Sequence, residues 1–213
     1  MEALRLRSCD EFDGGFGWIV DEFTQRCSHA LVADGKVWAV DPLAGDGVEE
    51  RLRAAGEPAG VIQLLDRHTR DCARLASRLG VPHHVVPKEP IAPFEFLPIR
   101  SSRWWKEVVL WWPDRRMLVC ADALGTAAYF RAGDESLAVH PLLRLLPPRR
   151  QLAGVRPEAI LCGHGEGVFE GAEPALREAL RRARRRIPGQ VASAVRAWRA
   201  TRPSSLRGNR RPS

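Results

Sequence analysis

Apolar positions along this chain alternate in some stretches and recur at helical spacing in others. Two alternating runs flank Asp34-Gly35, a dipeptide that favours tight turns, and predict a hairpin from Ala30 to Pro42. Val48 to Ala55 has helical spacing and stops at Gly56, and Gly60 to Leu65 is a short apolar run expected to be a buried strand. Cys72 to Leu79 puts Leu75 and Leu79 on one face and stops at Gly80, which predicts a helix. Val81 to Val86 is a further strand. Val108–Trp112 and Met117–Asp122 form a second hairpin across Pro113–Arg116, and Ala159 to Gly165 is another apolar strand. The stripe Leu176, Ala179, Leu180 and Ala183 marks Ala172 to Arg185 as helical. Strand and helix alternate, which suits a layered α/β core.

Four segments in this frame carry recognisable chemistry. Leu64-Leu65-Asp66-Arg67-His68-Thr69-Arg70-Asp71-Cys72 lies between a strand and a helix. Val40-Asp41-Pro42 closes the first hairpin, Ala121-Asp122 closes the second, and Gly163-His164-Gly165 ends the last strand. In this order they resemble the metallo-β-lactamase fold superfamily over residues 16 to 186. The first segment resembles the H-x-H-x-D-H metal box, Asp122 the bridging aspartate, and His164 the terminal ligand. The resemblance implies a four-layer αββα sandwich and, for most of the family, a zinc or iron hydrolase.

The same resemblance implies a damaged site. In the register that keeps the aspartate, the box positions are Arg67, Thr69, Asp71 and Cys72, and Arg103 stands where a further histidine belongs. The first metal position then has no imidazole, and a guanidinium does not deprotonate to bind a cation. The second position keeps Asp71, Cys72, Asp122 and His164, which are chemically able to hold one zinc. The expectation is no metal or one zinc per chain. Asp71 and Asp122 repel if both are ionised without a metal, so Arg67 or Arg103 is expected to pair with one of them and to offer a binding site for a small anionic molecule. Each residue also has a plainer role: Asp71 as a helix N-cap, Cys72 as a small buried side chain, Asp122 as an acceptor at a strand end. His68 falls between ligand positions and is expected to point away. One tryptophan of each pair, Trp104-Trp105 and Trp111-Trp112, is expected at the pocket mouth and the other in the core.

Composition changes the picture mainly at one end. The chain has 213 residues, 45% of them apolar, enough for one domain with a sizeable core. It contains no apolar run long enough to span a membrane. Five widely spaced cysteines and the lack of a signal-like apolar stretch lead to the expectation of a reducing, cytoplasmic setting. The net charge of +7 is concentrated late: from Arg177 onward there are twelve Arg and one acid, Glu178. The reading is a domain over 1–187 and a basic, disordered tail over 188–213, within which Gln190 to Ala200 is a candidate short helix. Three functions follow: a non-catalytic or ligand-binding relative with a degenerate site, a one-zinc hydrolase of an ester, thioester or phosphoester, and nucleic-acid binding through the arginine-rich tail. The sequence leaves the oligomeric state open.

Overall fold

The computed structural model describes residues 5–201. Six strands form one sheet in sequential order: β1 (Leu6–Phe12), β2 (Gly15–Val20), β3 (Cys27–Ala33), β4 (Lys36–Val40), β5 (Glu57–Gln63) and β6 (His83–Val85). The β3–β4 hairpin turns at Asp34-Gly35, both in the left-handed region as the sequence predicts. From β4 onward the sheet is parallel, and α1 (Val48–Ala55) and α2 (Cys72–Leu79) make the crossovers.

The second sheet contains β7 (Glu95–Ser102), β8 (Trp105–Trp112), β9 (Met117–Cys120) and β12 (Ala159–Cys162), with β12 parallel to β9 at the far edge. A small pair, β10 (Leu124–Gly125) and β11 (Ala138–Val139), precedes β12. Then come α3 (Ala172–Arg182) and α4 (Ile187–Thr201).

Strand alternation makes the layers. Leu31, Trp38, Val40 and Ile62 of the first sheet share one buried core with Val109, Leu110, Leu118 and Ile160 of the second. Their neighbours Ala30, Val37, Ala39 and Val61 point outward onto Leu52, Leu75 and Ala76 of α1 and α2. On the far side Leu176, Ala179 and Leu180 of α3 pack against the second sheet and belong to the same buried cluster. The result is the αββα order of layers expected from the sequence.

Leu6 to Phe12, for which the sequence pattern predicts no element, is an edge strand. Two expectations need adjustment. The segment around Arg103 is the tip of the β7–β8 hairpin. Ile187-Pro188-Gly189 does not close the preceding helix, which ends at Arg182; these residues open α4 instead. Gln190 is buried there and its amide donates to the Tyr129 carbonyl at 2.7 Å. The boundary read at 187/188 thus falls in the first turn of a helix that touches the domain. The expected arginine-rich tail lies outside the described residues from 202 on.

Candidate metal centre

Two adjacent strand ends deliver the first two groups. Asp122 follows β9 and His164 follows β12, and the parallel pairing of these strands brings both to the same rim. The approach is close: a Cβ on Gly163 would stand 2.5 Å from the Ala121 carbonyl oxygen, so only glycine fits between Cys162 and His164. Glu107 fixes the Asp122 loop from below. Its Oε1 accepts from the backbone N–H of Asp122 and Ala123 at 2.8 and 2.7 Å, and its Oε2 accepts from Trp105 Nε1 at 2.7 Å. Burial, together with the Asp122 charge, pushes the Glu107 carboxyl up to about 7.

The third group is His68. After β5 the chain makes two tight turns, with His68 N bonded to the Leu65 carbonyl and Cys72 N to the Thr69 carbonyl. Arg70, between them, is in the left-handed region at φ 35°. This path turns His68 inward. Its Nε2 lies 3.0 Å from Asp122 Oδ1, and His164 Nε2 lies 3.1 Å from the same atom. The three side chains are nearly buried, at 9–12% exposure.

The outer nitrogens decide the protonation pattern. His68 Nδ1 faces Asp41 Oδ2 at 3.2 Å, an atom that only accepts, so this nitrogen carries the hydrogen. His164 Nδ1 donates to the Thr24 carbonyl at 2.7 Å and also faces the Tyr129 hydroxyl at 3.1 Å. In the neutral rings both Nε2 atoms then have lone pairs that point to the centre. Asp122 Oδ1 is buried there and accepts no hydrogen bond of acceptable geometry. Three lone-pair donors converge on one point, the arrangement a divalent metal needs. The carboxylate–imidazole pair Asp41–His68 is the usual outer support of such a ligand. His68, Asp122 and His164 therefore fit a metal as a two-histidine, one-carboxylate set.

When no metal is held and the rings donate from Nε2 instead, burial works to raise the Asp122 pKa, but the His164 and His68 rings outweigh it and hold the carboxylate well below its ordinary range. Burial and Arg70 push His68 down, yet Asp122 and Asp41 leave it raised overall. Arg70 is a fixed cation beside the centre. Its guanidinium donates to the carbonyls of Cys27, Asp41 and Gly163 at 2.6, 2.8 and 3.0 Å, stapling three segments together. A permanent positive charge in that place disfavours a second metal ion.

The residues read from the sequence separate into two groups. Asp122 and His164 are at the centre. Asp71 and Cys72 are not: Asp71 accepts from Ala44 N at 2.8 Å and pairs with Arg74 at 2.8 Å, while the buried Cys72 thiol faces the His68 carbonyl at 3.5 Å. Asp71 is the residue before α2 but makes no capping bond to it. His68 points in, against expectation, because the turn at Arg70 rotates the segment away from the simple box register. Arg67 reaches the mouth, with Nη2 3.5 Å from Asp122 Oδ2 and its guanidinium 4.3 Å over the Trp105 ring. Arg103 stacks on the exposed Trp104 at the hairpin tip, and no ion pair of it with an acid is seen among the described residues. Of the tryptophans, Trp105 and Trp112 are buried, Trp104 is exposed and Trp111 is half-buried.

The backbone arrangement decides the fold type. The chain has the metallo-β-lactamase fold. A metallo-β-lactamase from Pontibacter korlensis aligns over 83% of this chain and 99% of its own, with 10% identity and a TM-score of 0.56. The DIM-1 metallo-β-lactamase aligns over 88% and 99%, with 13% identity and a TM-score of 0.57. A metal-soaked flavodiiron core from Synechocystis sp. PCC6803 aligns over 89% of this chain and 62% of its own, with 15% identity and a TM-score of 0.55. No protein-family profile and no curated protein matches the sequence. At these identities the likeness extends to the fold alone.

Asp41, Glu107, Arg70 and the inward His68 were missed from the sequence as site residues. Two left a trace: Asp41 in the Asp-Pro that closes the hairpin, and Glu107 as an acid inside the apolar run Trp105–Trp112.

Proposed function

We propose that this protein is a single-metal hydrolase on the metallo-β-lactamase fold, acting on a small anionic ester, thioester or phosphoester. The observation that carries the reading is the buried, unbonded Asp122 Oδ1 between two imidazole Nε2 atoms whose Nδ1 atoms are already engaged. Three protein ligands leave one position of a tetrahedral zinc open, as catalytic rather than structural zinc sites do. A divalent metal there supplies Lewis acidity and makes water a nucleophile near neutral pH. The chain's own groups do the rest. Asp41 and the Thr24 carbonyl hold the two rings, Glu107 holds the Asp122 backbone, and Arg67 offers a guanidinium at the mouth for an anionic substrate group.

One observation favours a second reading, a non-catalytic ligand-binding protein. Arg67 already leans on Asp122, so the guanidinium covers part of the opening. The test is metal analysis of the wild type, His164→Ala and Asp122→Ala, with a hydrolase screen in zinc and in manganese. The proposal expects each variant to lose one metal equivalent and all turnover. It expects Arg67→Ala to keep the metal and to raise KM for anionic substrates. Metal loss without turnover on any substrate would favour the ligand-binding reading. Unchanged metal content in both ligand variants would end both metal-based readings.

A further inference from the structure

A second set of metal-type side chains lies behind the first, on the opposite side of the 163–167 loop. Cys9 and Asp10 come from β1, Cys27 and His29 from β3. The ligand atoms of Cys9, Asp10 and Cys27 lie within 4.8 Å of one another. The two sulfurs are 3.3 Å apart, His29 Nε2 is 3.5 Å from Cys27 Sγ and 3.1 Å from Asp10 Oδ2, and Cys27 Sγ is 3.9 Å from Asp10 Oδ2. All four side chains are at most 8% exposed.

Two local features bring these groups together. Neighbouring residues of a strand normally point to opposite faces. The register of β1 against β2 shifts after Cys9, and Asp10 has a left-handed φ of 48°, so Cys9 and Asp10 turn to the same side. Between the two cysteine strands runs β2, where the position paired with both Cys9 and His29 is Gly17. A Cβ there would lie 3.1 Å from Cys9 Sγ, Asp10 Cβ and the His29 ring alike. The missing side chain is the space in which the four groups meet.

We propose that Cys9, Asp10, Cys27 and His29 form a zinc site separate from the candidate catalytic centre. Zinc–sulfur, zinc–nitrogen and zinc–oxygen bonds of about 2.0–2.3 Å give tetrahedral edges of about 3.3–3.8 Å. Four of the six separations, all but those of Cys9 from Asp10 and from His29, are 3.1–3.9 Å and already have about that size. Two thiolates, one imidazole and one carboxylate are a soft, mixed set that suits zinc rather than magnesium or calcium. A disulfide fits less well, because the cysteines lie on non-adjacent strands. Strands with one strand between them are separated by two spacings of about 4.8 Å each, whereas a disulfide tolerates Cα atoms at most about 7 Å apart. Binding releases the two thiol protons to solvent.

The site has a mechanical consequence. Asp10 Oδ1 accepts from Gly167 N at 2.8 Å, and Cys27 N donates to the Gly163 carbonyl at 2.9 Å. These bonds hold both ends of the loop that carries His164. A zinc on Asp10 and Cys27 anchors that loop from behind.

The experiment uses cobalt in place of zinc on the full-length chain. The candidate catalytic centre has no sulfur ligand, so a thiolate-to-cobalt charge-transfer band reports this second site alone. The wild type should show the band and bind two cobalt ions. Cys9→Ser and Cys27→Ser should each lose the band and one ion, while His164→Ala should lose an ion and keep the band. Cys72→Ser should keep both. A cobalt-loaded wild type without the band would overturn the proposal whatever the variants do. A Cys9–Cys27 disulfide in the freshly purified chain would overturn it too. Loss of the band in His164→Ala would assign the thiolate to the other centre and have the same effect.

Discussion

At the residue scale, the decisive atoms are the outer nitrogens of the two histidines. Asp41 makes His68 present a lone pair inward. Asp41→Asn should disturb this, because the amide can turn an N–H toward His68 Nδ1 and force the hydrogen onto Nε2. Metal affinity should fall about 10–100-fold, as is usual when such a supporting group is lost; competition against a coloured chelator measures it. Arg67 behaves differently from a buried partner. It is 45% exposed and 3.5 Å from Asp122, so the pair is worth about 0–1 kcal/mol rather than the several expected of a buried one. Arg67→Ala should leave the denaturation midpoint almost unmoved. His140 supplies a pH dependence. Burial against Trp105 and Phe130 lowers its pKa to about 4. The unfolded chain takes up this proton as pH falls through about 6.5, but the native state does not until about 4. Stability is therefore complete above the upper value and declines toward the lower one, by up to about 3 kcal/mol. His140→Gln should flatten the stability–pH curve in that window, read by urea titration at a series of pH values.

At the element scale, most of the chain was legible. The helices Val48–Ala55 and Cys72–Leu79 begin and end where periodicity and the following glycine placed them, and the two hairpins have their expected turns. Strands β1, β2, β7, β10 and β11 were not read from the sequence; β1 and β7 are edge strands, whose wet face carries many polar residues, and β10 and β11 are two residues each. The helix after β12 was drawn three residues too long, to Arg185 instead of Arg182, because its apolar stripe continues through Ala183 into the turn. One interaction ties these elements together without any sequence signal. Arg144 is fully buried and makes a two-pronged ion pair with Glu135 at 2.7 and 3.2 Å, while also donating to the carbonyls of Phe130 and Ala183. Arg144→Met should cost about 3–5 kcal/mol by stranding the Glu135 carboxylate. Adding Glu135→Leu should recover much of that. Chemical denaturation of the two variants provides the comparison.

At the scale of the whole molecule, charge and the C-terminal helix set the expectations. Among the described residues no helix is long and apolar enough to cross a membrane. A groove of about 680 Å³ on α3 is lined by Arg149, Arg177, Arg181, Arg182, Arg184 and Arg185. Several of these are already committed: Arg177 to carbonyls of the 152–155 loop, Arg181 and Arg182 to Glu178, Arg184 to the Leu145 carbonyl. Nucleic-acid binding, if the remaining charge supports it, should weaken steeply with salt and show no base preference. Truncation separates the contributions of the two segments. Removing 202–213 should leave the thermal midpoint unchanged. Removing α4 as well should lower it by a few degrees, because Gln190 and its bond to the Tyr129 carbonyl are lost, at about 2–4 °C per kcal/mol for a chain of this size.

The sequence by itself determined most of the strands and helices, because burial on one face of a strand or helix imposes a period that is local and can be read residue by residue. The αββα order of the layers, and Asp122 and His164 as site residues, came from the resemblance of four short segments to the metallo-β-lactamase superfamily. Which third residue joins them was decided only in three dimensions. The segment after β5 is irregular, and a left-handed Arg70, held by three carbonyls from distant parts of the chain, rotates His68 inward and leaves Asp71 and Cys72 behind. The gathering of Cys9, Asp10, Cys27 and His29 has the same origin. A strand bulge and a glycine in the intervening strand let side chains meet that no period places together.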